Sequence, residues 1–419
     1  MRKILLSLIS LLAAVAALGQ AGLPFPDHAG QDAVYSFDVP ALTPSPASYK
    51  PLFIEHYGRH GSRYAYAPYY YTDLMQALRR ADDKGVLTER GKVLLEDYLT
   101  HYDGYLLKMG DLTELGWRQE EEIARTMVRS FPQAFKGKGA YAYACASSST
   151  RSIMSMAGFC AGLQGAAPKL DLVAEQGRNT LNATNPKDKA NPSYTRRAEC
   201  VKPVAETSEE FFCRTVDGRK ILGRLFTDVD AALGELTVYP FVERLYILAS
   251  GMNSLREDEW TDFSGIFAPE EMDALFEARN FTAAMAWWPN ASRDLGVMED
   301  IIADACQRLG EGRGGLTARF GHDHVFLPLL KMFGINQYII EPSTSGEVID
   351  SFSIKDAPMA CNLQIVFYTS RRSNAPVLVK FLVNGVEARI GIPAFQGPYY
   401  RWDEVLTYLS ERISRYPAR

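Results

Sequence analysis

The sequence predicts an α/β protein: a three-layer αβα domain around a largely parallel central sheet, with a mostly helical cap inserted in it. Three observations predict it. Strand-like apolar runs recur, and each leads through a short polar loop into helical periodicity, the alternation of a parallel sheet with crossover helices. That alternation stops near Pro168 and resumes near residue 296, with turn-rich chain and helical spacing between. The 419 residues, 47% hydrophobic and 23% charged, can bury a large core and exclude disordered, collagen-like and coiled-coil classes. The expected organisation is a leader over 1–19, an α/β core over 48–167 and 296–419, and the helical cap over 168–295.

The elements follow in order. Arg2 and Lys3 precede an apolar run from Ile4 to Leu18, and Ala17-Leu18-Gly19 gives the small-x-small pattern of a signal-peptidase site. The run falls short of the ~20 residues of a membrane span, so export is expected, with no span in the mature form and a periplasmic or secreted location. A Pro-rich leader ends at Pro51, where the strand Leu52–His56 begins. Helical spacing follows at Thr72–Lys84, Leu94–Leu107 and Thr113–Phe131, where Thr113 can cap the start. Ala140–Cys145 reads as the next strand and Ser152–Leu163 as the helix after it. Beyond the insertion, Leu316–Asp323 reads as a strand ending in a loop, followed by a helix through Met332. Asn362–Thr369 and Val377–Val383 are strand-like, with an Asn384-Gly385 turn signal, and Arg401–Arg412 closes the chain as an amphipathic helix.

Charge and cysteine content narrow the function classes. The 45 Lys and Arg against 50 Asp and Glu give a net charge of -5, which becomes -7 once Arg2 and Lys3 are removed with the leader. That balance argues against general nucleic-acid binding. Of the six cysteines, only Cys200 and Cys213 lie close together in a polar segment suited to a disulfide. No C-x-x-C occurs and the six histidines are scattered, so no metal site is expected. Arg178–Lys202 carries six basic residues against Asp188 and Glu199; this stretch faces either a polyanionic substrate or solvent.

The chemistry concentrates at strand ends. Arg59-His60-Gly61-Ser62-Arg63 follows the first strand, where open α/β sheets bind ligands. Two guanidiniums there can fork onto phosphate oxygens, and a neutral imidazole between them can attack phosphorus. Gly61 would allow close backbone approach. Arg151 lies between the second strand and its helix, where a helix N-terminus adds anion preference. His322-Asp323 follows the third strand; His322 could donate to phosphate, and Asp323 could protonate a leaving alkoxide.

On these residues the sequence resembles the histidine acid phosphatases, the branch of the histidine phosphatase superfamily that includes phytases and multiple inositol polyphosphate phosphatases. Arg59 to Arg63 matches the family's R-H-G-x-R, Ser147 to Arg151 its S-x-x-x-R, Leu112 to Gly116 its L-T-x-x-G, and His322-Asp323 its H-D. Ala65 stands where the longer family motif has Pro, and His-Asp stands where many inositol polyphosphate phosphatases have H-A-E. The resemblance implies a phosphoglycerate-mutase-like core, His60 as nucleophile, Asp323 as proton donor, and Arg59, Arg63, Arg151 and His322 as the phosphate clamp. It implies no cofactor and no metal, and a small, polyanionic phosphorylated substrate such as phytate or another inositol phosphate. A broad acid or sugar-phosphate phosphatase is the alternative within enzymes; an inactive phosphate-binding protein on the same fold is the alternative outside them.

Overall fold

The computed structural model describes residues 28–137, 139–193 and 204–416. The expected leader lies outside the described residues. So does Cys200, while Cys213 is a free, exposed thiol. Among the described residues no helix is long and apolar enough to cross a membrane.

The chain divides into two compact units. One takes residues up to Asp38, Ser62–Thr113 and Glu206–Thr282; the other takes Val39–Gly61, Glu114–Ala205 and Ala283–Arg419. The first is helical. Its longer helices are α1 (Pro68–Asp83) and α2 (Glu89–Leu107), the latter capped by the Thr88 hydroxyl, which accepts from the Gly91 N–H.

The second unit holds the sheet. Its strands are β1 (Tyr49–Arg59), β2 (Tyr141–Ala146), β3 (Asp171–Gln176), β4 (Gly315–Gly321), β5 (Asn362–Ser370), β6 (Leu378–Val383), β7 (Val386–Ala388) and β8 (Tyr400–Arg401). The order is β3-β2-β4-β1-β5-β6-β7, with β8 also on β6. β3, β2, β4 and β1 are parallel, and β5 begins an antiparallel flank. In the same unit α3 (Glu114–Ser130) packs on α4 (Thr150–Ala166), and α7 (Leu295–Glu311), α8 (Asp323–Phe333) and α9 (Trp402–Ser414) follow. Between them in sequence, α5 (Val238–Gly251) belongs to the helical unit, and α6 (Pro269–Trp287) crosses the boundary at Thr282.

One expectation is corrected here. Residues 171–176, read as part of the helical insertion, form β3, a parallel edge strand on β2. β3 is exposed or half-buried throughout, so its sequence carries none of the apolar alternation that marks a buried strand.

The parallel half explains where chemistry can sit. Strand β4 inserts between β2 and β1, and their ends are flush: Arg59 pairs with Gly321 and Ala146 with Phe320. The chain leaves β1 toward one side of the sheet and returns to β5 on the other, the switch point at which such sheets open a crevice.

Candidate active site

Flush strand ends bring His60, Ser147 and His322 to one level above the sheet. Backbone bonds hold that level: the His60 N–H donates to Gly321 O at 3.2 Å and the Ser147 N–H to Phe320 O at 2.9 Å. Helix α4 ties the ends together, since Ser152 Oγ donates to Gly321 O and Ser155 Oγ accepts from the Gly61 N–H.

Gly61 is required, but for a different reason from the one expected. A Cβ there would stand 2.5 Å from Gly116 O, so the glycine admits the backbone of α3 rather than a ligand. The Leu112–Gly116 motif therefore supplies packing: Gly116 is the other face of this contact.

His60 is buried, and its Nδ1 lies 3.0 Å from Gly61 O. A carbonyl only accepts, so Nδ1 carries the proton and Nε2 keeps its lone pair. The His322 ring stands edge-on to it, 5.7 Å between centroids. His322 Nε2 is 3.1 Å from Ser147 Oγ, and its other neighbour is His324, whose ring stacks on it at 4.9 Å with 9° between planes. Burial drives the His322 pKa well below its ordinary value, and His324, Arg151 and Arg59 add to the effect. That shift favours the neutral ring, which has one N–H to donate and carries no charge. His324 is pushed down to about 4 by burial and then by Lys187. These two histidines flank the first residue of α8.

Arg59 is fully buried, with Nη1 on Ala357 O at 2.8 Å and Nη2 on Asp323 Oδ2 at 2.9 Å. Asp323 also accepts from the His324 N–H at 2.8 Å. Arg151 lies in the first turn of α4, close enough for its charge to disfavour a proton on His322 or His324. The structure thus brings together Arg59, His60, Arg151, His322 and Asp323. Arg63 belongs to the helical unit, where its Nη1 donates to Tyr64 O and its Nη2 lies 3.9 Å from the buried Asp32. In that unit Tyr64, Tyr70 and Tyr71 are buried, while Tyr66 and Tyr69 are 47% and 37% exposed. Glu55, one strand position before His56, is completely buried and paired with Arg319 at 2.5 Å.

Among the described residues no three of His, Cys, Asp and Glu are grouped as a metal ion would need. Sequence reasoning missed Ser147 as a partner of His322, although the motif contains it, and gave His324 no part in the site. An H-D-H triplet at a strand end was the available signal.

No protein-family model matches the sequence, and no curated protein matches it. Solved structures do. The multiple inositol polyphosphate phosphatase of Bifidobacterium longum, crystallised with inositol hexasulfate, aligns with a TM-score of 0.70 over 92% of this chain and 98% of its own, at 17% identity. The phytase of D. castellii gives 0.62 over 92% and 85%, at 14% identity. The phytase of Citrobacter braakii gives 0.51 over 87% and 98%, at 14% identity. The alignments run over most of both chains, and this chain has the fold of these inositol polyphosphate phosphatase and phytase structures.

Proposed function

We propose that the protein is an exported phosphomonoesterase that works through a phosphohistidine and acts on inositol phosphates, phytate among them. One observation carries the reading: a buried imidazole whose Nδ1 proton is directed at Gly61 O, which makes Nε2 the nitrogen that bears the lone pair, beside His322, Arg151 and the Arg59–Asp323 pair. The substrate class draws support from the inositol polyphosphate phosphatase and phytases that share the fold.

In this reading His60 Nε2 attacks phosphorus, and the ester oxygen departs with the proton of Asp323. Water then attacks the phosphohistidine, Asp323 takes up the water proton, and phosphate leaves with the N–P electron pair returned to Nε2. Arg59 and Arg151 balance the phosphoryl charge, and neutral His322 donates one N–H. An arriving phosphate would draw the Arg59 guanidinium onto its own oxygens. A carboxylate left beside that anion takes up a proton more readily, which readies Asp323 as the acid.

The test is chemical trapping. Brief reaction with labelled substrate and an alkaline quench should yield a base-stable, acid-labile phosphoprotein, and His60→Ala should lose turnover by about a thousandfold or more while staying folded. Unchanged turnover in His60→Ala, or label that survives acid, refutes the mechanism. Phosphate binding without any turnover in the wild type would instead identify an inactive binding protein.

A further inference from the structure

Helix α8 has a proline in its body, Pro328. In an α-helix the N–H of residue 328 would bond to the carbonyl of residue 324, and proline has no N–H. His324, next in sequence to Asp323, is left with a carbonyl that its own helix cannot satisfy. The missing donor comes from 137 residues away: Lys187 Nζ lies 2.6 Å from His324 O. The same Nζ lies 2.9 Å from Asp294 Oδ2, where the Asp294 side chain is fully buried and that of Lys187 is 19% exposed. Lys187 therefore points inward, with its charge committed to Asp294, rather than to solvent or a polyanion as its basic surroundings suggested.

The loop that carries Lys187 is tied to the same turn a second time. The Tyr57 hydroxyl donates to Thr184 O at 2.8 Å and accepts from the His322 N–H at 3.3 Å. Gly321 closes the cluster, since a Cβ there would run into the Tyr57 hydroxyl and Thr184 O. Both ends of the His322–Asp323–His324 turn are thus tied to residues 184–187, the His322 N–H by way of the Tyr57 hydroxyl and the His324 carbonyl directly by Lys187.

We infer that Lys187, neutralised by Asp294, is a positioning residue for the His322–Asp323–His324 turn, replacing the helix hydrogen bond that Pro328 removes. The inference rests on the proposed phosphatase reading, in which Asp323 delivers a proton to the leaving oxygen. A carboxyl displaced by even a fraction of an ångström serves poor leaving groups badly and good ones almost as well.

Lys187→Met alone would strand a buried carboxylate, so the informative variant is Lys187→Met with Asp294→Asn, made in the full mature protein. It should lower kcat on glycerol phosphate by about ten- to a hundredfold. KM should stay unchanged, and p-nitrophenyl phosphate, whose leaving group needs no proton, should be turned over nearly as before. Adding Pro328→Ala returns a backbone N–H to His324 O and should restore most of the lost rate. Three results overturn the inference: equal losses on both substrates, a rise in KM alone (which would put Lys187 on the substrate), or no recovery with Pro328→Ala. Failure of the functional reading looks different, because the wild type itself would then form no phosphohistidine.

Discussion

Asp323 stands between partners that stabilise its charged form, with Arg59 Nη2 at 2.9 Å and the His324 N–H at 2.8 Å. Its proposed work requires the opposite form, and that tension yields a sharp test. Asp323→Asn keeps the size but has no proton to give. Its rate loss should be about a hundredfold or more on phytate and several-fold smaller on p-nitrophenyl phosphate, which departs unaided. Equal losses would mean that Asp323 only holds Arg59 in place. At this scale the sequence was a good guide to groups whose position follows from a strand end: Arg59, His60, Arg151, His322 and Asp323 needed only the alternation of elements to be placed. Lys187 was not legible, because its meaning depends on Asp294 and His324, 107 and 137 residues away. Gly61 was legible as necessary but not as a contact with Gly116, because nothing local to the motif shows which backbone will approach it.

Most elements were legible to within a few residues, because apolar periodicity sets them: Leu52–His56 became β1 at Tyr49–Arg59, and Ser152–Leu163 became α4 at Thr150–Ala166. Strand β3 was the exception, its exposure leaving no pattern to read. How elements pack is a separate matter, and α4 shows it through two of its glycines. A Cβ on Gly162 would run into the backbone of Glu121 in α3, whereas a Cβ on Gly165 meets nothing within 4 Å. Alanine is the better helix former by up to about 1 kcal/mol, so propensity alone predicts that both substitutions stabilise. Packing reverses one of them. Gly162→Ala should destabilise by about 1–3 kcal/mol, as overpacking does, while Gly165→Ala should be neutral or stabilising by about 0.5 kcal/mol. Urea unfolding of the two variants decides it, and stabilisation by Gly162→Ala would show that the two helices can part without cost.

Across the whole molecule, the order of strands and the grouping of helices were the least legible features. The helical unit gathers Ser62–Thr113 with Glu206–Thr282, and no local pattern tells which core an amphipathic helix will join. Nor does the sequence show which charges end up inside, and the sheet unit buries several. Burial raises the pKa of Glu120 and lifts that of Asp294 to about 6, so each resists ionisation as pH rises. Burial lowers the pKa of His56 from 6.5 to about 3, with Arg319 adding to the effect. His56 packs against Phe159 and Phe320 at 5.2 and 5.6 Å, and among the described residues neither of its ring nitrogens has a hydrogen-bond partner. A histidine whose folded pKa is depressed stays neutral in the fold while the unfolded chain takes up a proton. Its contribution to stability is therefore intact above about pH 6.5 and is lost progressively as pH falls toward about 3. Leucine is of similar size, suits the two phenylalanine rings it would pack against, leaves no polar atom unsatisfied and takes no proton. His56→Leu should therefore stabilise the protein at pH 7 by about 1–3 kcal/mol, the cost of a buried unpaired polar group. The gap in Tm between variant and wild type should then widen steadily from pH 6.5 to pH 4, the carboxylates being common to both and cancelling in the difference. Thermal unfolding of the pair across that range measures it; a gap that stays constant would mean that His56 finds water or a proton partner in the folded state and is not the acid-sensitive group of this core.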